Sequence, residues 1–130
     1  MSAKSTKIAI IEDDIAIVEM YRTKFENDGY TVETAGDGRT GLVLIKDFAP
    51  DIVLLDLMMP EVTGYDVLDE LRRSASSHPF KIIVLTNMGD TETATRVFKM
   101  AADDFIVKAE STPKEVVERV QALLSKSKAA

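Results

Sequence analysis

The side chains with the clearest chemical potential in this sequence each follow a short apolar run. Glu12 and Asp13 come after residues 8–11, Asp56 after 52–55, Thr86 after 82–85 and Lys108 after 105–107. Apolar runs of this length, separated by helical patterns, are typical of buried parallel strands. Ligands of an open parallel sheet bind beyond the carboxyl ends of its strands. We therefore expect three carboxylates, a hydroxyl and an ammonium at one edge, a set suited to a divalent cation and a phosphoryl group.

The composition narrows the class of protein. A chain of 130 residues with 45% hydrophobic and 29% charged residues is typical of one globular domain. The net charge of −6 argues against a nucleic-acid-binding surface in this domain. The chain has no cysteine, which excludes disulfides and thiolate metal sites, and it has no apolar stretch of membrane-spanning length. These features favour a cytoplasmic protein that does not contact a membrane.

The elements that must position those side chains are five strands, each followed by a helix. The strands are predicted at residues 7–12, 30–34, 51–56, 80–86 and 103–108. The helices are predicted at 14–28, between the turn at 36–38 and Pro50, at 64–73, at 90–100 and from Thr112 to Leu124. Right-handed crossovers would place helices on both faces of the sheet. We expect one domain over residues 7–125, with a disordered lead-in at 1–6 and a frayed tail at 126–130.

Local signals mark several helix ends. Gly29 is well placed to end the first helix, and Thr63 to cap the start of the third. Residues 112–115, Thr-Pro-Lys-Glu, have the pattern of a capping box with Pro113 at the first helical position. The last helix therefore has the best-defined start.

Four sequence motifs contain the chemically active residues. They are Ile-Ile-Glu-Asp-Asp at 10–14, residues 51–60 with Gly64 after them, Ile-Val-Leu-Thr at 83–86, and Ala-Asp-Asp-Phe-Ile-Val-Lys at 102–108. Any one alone would be a weak signal, but in this order and spacing they resemble the receiver domain of bacterial two-component response regulators over residues 7–124. The resemblance implies a flavodoxin-like α/β fold, a doubly wound (βα)5 arrangement whose five parallel strands have the order 2-1-3-4-5.

The resemblance also implies a role for each acidic residue. Asp56 would be the phosphoacceptor, since a carboxylate can act as a nucleophile and form an aspartyl phosphate. Asp13 and Asp56 would bind Mg²⁺ directly, with Glu12 acting partly through water and the backbone carbonyl of Met58 as a further ligand. The register of the acidic pair is open, because Asp13 and Asp14 could take these places. We favour Glu12 and Asp13, which directly follow the strand.

Three further residues are implied as phosphoryl-binding and switching groups. Lys108 would pair with a phosphoryl oxygen, and Thr86 would hydrogen-bond to the phosphoryl group. Phe105 corresponds to the switch aromatic of the family, which moves between exposed and buried rotamers. Phosphorylation adds about −1.5 to −2 charge. Thr86 is therefore expected to move toward the phosphoryl group, and Phe105 is expected to follow. These movements would change the surface of helix 4, strand 5 and helix 5.

The sequence departs from the family pattern in two places. Most relatives have proline after the lysine, often in a cis bond, whereas Ala109 follows Lys108 here. A cis bond before alanine costs about 2.5–4 kcal/mol, so the sequence leaves the geometry of the Lys108–Ala109 bond open. In the family, the residues at the places of Met58 and Met88 influence water access to the phosphoryl group, so the resemblance implies slow self-dephosphorylation here. His78, the lone histidine, has no metal or base partner in these motifs and is interpreted as a solvated loop residue.

The leading interpretation is a receiver that accepts phosphate from a sensor histidine kinase and controls an unknown output protein. It would not be an enzyme beyond slow self-catalysed phosphotransfer and dephosphorylation. It would be a monomer or a weak phosphorylation-dependent dimer. Asp104 and Arg119 match half of the charge pattern of dimeric DNA-binding relatives, but Ala94 stands near the place of their helix-4 arginine.

Four alternatives are open. A phosphorelay intermediate would pass the phosphoryl group on to a further histidine. An aspartate-nucleophile phosphatase usually has a second aspartate two residues after the nucleophile, where this chain has Met58. A phosphorylation-independent adaptor is disfavoured by the intact Asp56, Thr86 and Lys108. The receiver part of a longer DNA-binding regulator is disfavoured by the absence of a linker beyond Ala130.

Overall fold

Five parallel strands form the sheet of the computed structural model, which describes residues 6–74, 80–87 and 89–129. They are β1 Lys7–Ile11, β2 Thr31–Ala35, β3 Ile52–Leu55, β4 Lys81–Thr86 and β5 Asp104–Val107. Their order across the sheet is β2-β1-β3-β4-β5, and every neighbouring pair is parallel. The predicted flavodoxin-like strand order is confirmed.

Within the described residues, five α-helices alternate with the strands. They are α1 Ile15–Asn27, α2 Gly38–Phe48, α3 Gly64–Ser74, α4 Thr91–Lys99 and α5 Pro113–Ala129, with a 3-10 turn at Lys108–Glu110 before α5. The Thr112 N–H donates to Glu115 Oε1 at 2.7 Å, and the Glu115 N–H donates to Thr112 Oγ1 at 3.2 Å. This is the reciprocal capping box that the sequence predicts. Gly29 follows α1 in the left-handed region, at φ 95°, as expected of a residue that ends a helix.

The three inner strands, β1, β3 and β4, are buried on both faces, and each face of the sheet packs against its own helices. Along β1, Ile8 and Ile10 belong to one core cluster, while Ala9 and Ile11 belong to the other. The first cluster contains residues of α1 and α5, and the second contains residues of α2, α3 and α4. Successive side chains of a strand point to opposite faces. A strand between two helical layers must therefore be apolar at consecutive positions, which explains the continuous apolar runs in the sequence.

The register of β1 and β3 brings two acidic residues together. Ile11 pairs with Leu55, the last residue of β3. The residues that follow are Glu12 and Asp56, and the Asp56 N–H donates to the Ile11 carbonyl at 3.0 Å. These two carboxylates therefore emerge side by side at the carboxyl edge of the sheet.

The other half of the sheet brings a hydroxyl and an ammonium to the same edge. Leu55 of β3 pairs with Val84 of β4, so β4 continues two residues further, to Thr86. Thr86 in turn pairs with Val107 of β5, which directly precedes Lys108. The parallel register thus gathers groups that are distant in sequence into one site.

Some expectations about chain segments need correction. The tail predicted to fray at 126–130 continues α5 to Ala129, because it lacks a glycine or proline that would end the helix. The limits of the domain itself stay a prediction. Outside the described residues lie His78, Met88 and residues 1–5 of the lead-in expected at 1–6. Among the peptide bonds that the structure describes, none is cis, including the one between Lys108 and Ala109. No helix in the described ranges is long and apolar enough to cross a membrane.

Candidate functional site

Three carboxylates meet at the carboxyl edge of the sheet. Oxygens of Glu12, Asp13 and Asp56 all lie within 4.8 Å of one another. Glu12 and Asp56 are each only 4% exposed, whereas Asp13 faces solvent. Negative charges this close repel one another and favour a nearby cation. The cluster therefore has a buried side within the sheet and an open side toward water.

Lys108 supplies a positive charge on the buried side. Its Nζ donates to Glu12 Oε1 at 2.5 Å and lies 3.5 Å from Asp56 Oδ1. The lysine side chain is only 12% exposed, so solvent screens these ion pairs weakly. The sequence predicts Lys108 at this edge, and in this structure its closest partner is the Glu12 carboxylate.

Glu12 is held at both of its carboxylate oxygens. Oε1 accepts from Lys108, and Oε2 accepts the backbone N–H of Asp14 at 3.0 Å. The pKa of Glu12 is raised from 4.5 to about 7: burial is the largest cause and the Asp56 charge acts in the same direction, while the bonds to Lys108 and the Asp14 N–H oppose the rise. Burial thus disfavours the ionised form of Glu12 more than its two hydrogen bonds favour it.

Asp14 has a different role from its acidic neighbours. Its Oδ1 accepts the N–H of Ala16 at 3.0 Å and that of Ile17 at 3.2 Å. These N–H groups belong to the first turn of α1, where no carbonyl of the helix can accept them. Asp14 is thus engaged as the N-cap of α1 and does not belong to the cluster of three carboxylates.

The backbone immediately after β3 fixes the position of Asp56. Its Oδ1 accepts the Met58 N–H at 3.4 Å. The chain then returns at Gly64, whose N–H donates to the Leu57 carbonyl at 3.0 Å. A Cβ atom at position 64 would collide with backbone atoms of Asp56 and Leu57. Only glycine therefore lets α3 begin this close to the site.

Thr86 and Phe105 lie on the β4–β5 side of the site. Thr86 ends β4 and is fully buried. Phe105 is half-buried and packs against the core cluster that includes α2, α3 and α4. Its backbone N–H donates to Asp104 Oδ1 at 2.8 Å. The Phe105 ring is thus neither fully exposed nor fully buried.

Two features of the site are not predictable from the sequence alone. Patterning places Lys108 and the acids at one edge, but it does not say that Glu12 is nearest to the ammonium. The collision that excludes a side chain at position 64 depends on how closely the backbone returns past Asp56. The available signal is the glycine itself, at the first position of a helix that Thr63 caps.

The sequence matches a known protein family over most of its length. The family is described as the response regulator receiver domain, and residues 8–121 match it. Among curated proteins, the chain is 36% identical over 127 residues to a probable transcriptional regulator ycf27 of Cyanophora paradoxa, covering 98% of this chain and 52% of that protein. It is 36% identical over 121 residues to the DNA-binding dual master transcriptional regulator RpaA of Synechocystis sp., covering 93% and 50%. The chain thus spans about half the length of these curated relatives.

A solved structure agrees with this assignment. The receiver domain of Francisella response regulator 1452 is 30% identical in sequence and superposes with a TM-score of 0.86, covering 94% of this chain and 98% of that one. Sequence, strand order and the acidic cluster at the carboxyl edge therefore agree. The chain belongs to the family of receiver domains of two-component response regulators.

Proposed function

We propose that Asp56 accepts a phosphoryl group from a sensor histidine kinase, and that this event changes the surface formed by α4, β5 and α5. The observation that carries the proposal is the position of Asp56, which lies among three clustered carboxylates and 3.5 Å from the Lys108 ammonium. Asp56 also follows β3, the central strand of the sheet. A group attached to it can therefore be contacted from strands on both sides.

The transfer of the phosphoryl group requires only one nucleophilic group from the receiver. A carboxylate oxygen of Asp56 attacks the phosphorus of a phosphohistidine on the kinase. The new P–O bond forms as the P–N bond breaks, and the histidine nitrogen leaves with the bonding electrons and takes up a proton. Lys108 is close enough to pair with an oxygen of the transferred group. Thr86 would hydrogen-bond to the same group once its side chain turns toward it.

The residues of the acidic cluster fit Mg²⁺. Three carboxylates within 4.8 Å of one another offer the oxygen ligands that this ion prefers, and a dication relieves their repulsion. Asp13 and Asp56 would bind the ion directly, Glu12 through water, and the Met58 backbone carbonyl would be a further ligand. When bound, Mg²⁺ neutralises charge that develops on the transferring phosphoryl group.

Phosphorylation would redistribute the contacts of Lys108. The phosphoryl group brings about −1.5 to −2 charge, and it competes with Glu12 for the ammonium. Each hydrogen bond to a charged group contributes about 1.5–3 kcal/mol, so the bonds of Lys108 and Thr86 to the phosphoryl group supply at most roughly 3–6 kcal/mol, less the contacts that the two side chains give up. A shift of a two-state equilibrium from 1:99 to 99:1 needs about 5.5 kcal/mol. Two new bonds are therefore of the right size to move Phe105 and its neighbours.

Control of DNA binding is a second candidate output, because the curated relatives are described as transcriptional regulators. In that case the switched surface would control a DNA-binding segment rather than a separate protein. On this surface the Arg119 Nε donates to Asp104 Oδ2 at 2.7 Å within the same chain. A dimer that used these two charges would first have to break this pair. We propose a monomer or a weak phosphorylation-dependent dimer.

The first test is the intact mass of the protein after incubation with acetyl phosphate, with Mg²⁺ and with a chelator. We expect one Mg²⁺-dependent phosphoryl adduct that Asp56→Asn abolishes. Asp47→Asn, an exposed aspartate of α2, changes the charge equally and should keep the adduct. If the wild type gives no adduct from acetyl phosphate or from a phosphorylated histidine kinase, the proposal fails and the adaptor interpretation gains.

A second test follows the switch itself. Amide chemical shifts should change from Thr86 through Lys108 and along α4, β5 and α5 when the adduct forms. Shifts confined to the residues next to Asp56 would show a phosphoacceptor that does not change its output surface. That result would support phosphorylation of Asp56 and contradict the proposed change of the α4–β5–α5 surface.

A further inference from the structure

A basic groove lies between α3 and α4, and it shares no lining residue with the carboxylate site. Its volume is about 460 Å³. The lining residues are Arg72 of α3 together with Glu92, Thr95, Arg96, Lys99 and Met100 of α4 and its C-cap. Three cations meet one carboxylate here, although the whole chain has a net charge of −6. The groove is therefore a local reversal of the charge of the protein.

Both guanidinium groups in the groove are held in place. The Arg96 Cζ lies 3.8 Å from the centroid of the Tyr65 ring, in the first turn of α3. The Arg72 Nη1 donates to the Lys99 carbonyl at 3.2 Å. A guanidinium has five N–H donors, so each group keeps donors for a ligand. A fixed planar fork also loses less freedom when it binds a carboxylate with two parallel hydrogen bonds.

The two fixed groups are anchored near opposite ends of α3. Tyr65, whose ring the Arg96 guanidinium covers, and Arg72 are seven residues apart in α3, which is about 10 Å along the axis at 1.5 Å per residue. Carboxylates two to four residues apart on one face of an extended chain are roughly 7–13 Å apart.

We propose that this groove binds an acidic segment of a partner protein in an extended conformation, through carboxylates that pair with Arg72 and Arg96. Lys99 adds a third positive charge in the last turn of α4, whereas Glu92 lies in the first turn. Acidic residues of the peptide therefore suit the end of the groove near Lys99, and Glu92 disfavours them at the other end. The proposal concerns a second site and does not rest on phosphorylation of Asp56.

The test uses the full chain and a fluorescein-labelled eight-residue peptide of alternating glutamate and alanine. Fluorescence anisotropy should show saturable binding. Arg72→Gln and Arg96→Gln should each weaken it by about tenfold, the effect expected for a lost charge-assisted hydrogen bond. Arg96→Lys keeps the charge but loses the planar group over Tyr65, so it should also weaken binding. Arg39→Gln, at an exposed position of α2, is the control with an equal change of charge.

Several results would overturn the proposal. One is the absence of saturable binding to the wild type. Others are equal binding of a peptide with glutamine in place of glutamate, or equal weakening by Arg39→Gln. A further one is competition by inorganic phosphate. If phosphate displaces the labelled peptide at the same concentration as unlabelled peptide does, the groove is a point site for small anions. Circular dichroism of each variant reports its fold, and Arg96→Lys still decides the matter if a glutamine variant unfolds.

Discussion

The Lys108 ammonium lies 2.5 Å from Glu12 Oε1 and 3.5 Å from Asp56 Oδ1, so the unphosphorylated site already contains an internal counter-ion for its acids. These ion pairs are shielded from water, because the lysine side chain is 12% exposed and the Glu12 side chain 4%. A cation bound at the cluster and the Lys108 ammonium must share the same carboxylates. Lys108 therefore weakens the binding of a dication in the unphosphorylated protein, and its charge stabilises the site only when a further anion is bound there.

This relationship predicts that Lys108→Met tightens Mg²⁺ binding. Removal of one positive charge next to a dication should lower the dissociation constant on the order of tenfold. The same change should weaken the response of the α4–β5–α5 surface to phosphorylation, since one of its two new bonds is lost. Competition with a Mg²⁺-sensitive dye measures the affinity. Lys46→Met, at an exposed position of α2, makes the same change of net charge and should leave the affinity for Mg²⁺ unaltered. Mg²⁺ binding by Lys108→Met that is equal to or weaker than that of the wild type would contradict the idea.

The raised pKa of Glu12 predicts how stability depends on pH without metal. This pKa is raised from 4.5 to about 7 in the folded protein, and burial is the largest cause. The folded state therefore holds the Glu12 proton more tightly than the unfolded state does. The resulting contribution to stability is fully present below about pH 4.5 and is lost as pH rises through about 7, by up to about 3 kcal/mol.

Urea unfolding of the wild type and of Glu12→Gln, both in a chelator, isolates this contribution. Glutamine does not ionise, so the free energy of unfolding of the wild type should fall relative to that of the variant between about pH 4.5 and 7. Added Mg²⁺ should reverse the trend in the wild type, because the dication stabilises the ionised acid. Parallel curves for the two proteins would mean that Glu12 titrates as an ordinary surface glutamate.

Gly64 is predicted to be irreplaceable for a steric reason. Gly64→Ala should destabilise the protein by about 1–3 kcal/mol, because the added methyl group meets the backbone of Asp56 and Leu57, which cannot rotate away. Phosphorylation should also slow, because the nucleophile is displaced. Gly36→Ala is the matched control, since an added Cβ there has no atom within 4 Å. Equal stability of the two variants, measured by chemical denaturation, would show that the loop after β3 adapts.

The strands themselves and the gathering of the site could be predicted from the sequence because both follow from simple periodicities, whereas the order of the strands was implied by the resemblance to the receiver family. A run such as residues 52–55 is apolar at every position because β3 is covered on both faces, and this pattern separates it from a surface strand. Asp56 comes directly after that run, so its place at the carboxyl edge needed no knowledge of side-chain contacts. Glu12 and Lys108 follow β1 and β5 in the same way.

What escaped prediction depends on side-chain geometry and on the ends of elements. The sequence left two registers open for the acidic pair, and the difference between them is that Asp14 caps α1 by accepting two of its N–H groups. The continuation of α5 to Ala129 escaped because its last residues lack an apolar stripe but still favour a helix. The sequence could not show that the Lys108 ammonium lies closer to Glu12 than to Asp56, since the two acids directly follow strands that are adjacent in the sheet.

Ala101 is predicted to limit stability through its backbone conformation. It follows α4 with φ 75°, a left-handed conformation that costs an L-residue roughly 1–2 kcal/mol. Ala101→Gly should therefore stabilise the protein by about 0.5–1 kcal/mol, after the greater freedom of glycine in the unfolded chain is subtracted. Ala94→Gly within α4 should instead destabilise it by about 1 kcal/mol. Thermal unfolding distinguishes the two, and a loss of stability in both variants would contradict the argument.

Met58 is predicted to slow the loss of the phosphoryl group. Met58 is 59% exposed and its N–H lies 3.4 Å from Asp56 Oδ1, so this residue is an exposed neighbour of the phosphoacceptor. A thioether is a weak hydrogen-bond acceptor and orders water poorly. Met58→Asn should therefore shorten the half-life of the phosphoprotein by up to about tenfold, the effect of one hydrogen bond to the attacking water. Decay of the adduct mass after removal of the phosphodonor measures the rate. Met20→Asn, at an exposed methionine of α1, should leave the half-life unchanged. An unchanged half-life in Met58→Asn would instead assign control of water access to other side chains around Asp56.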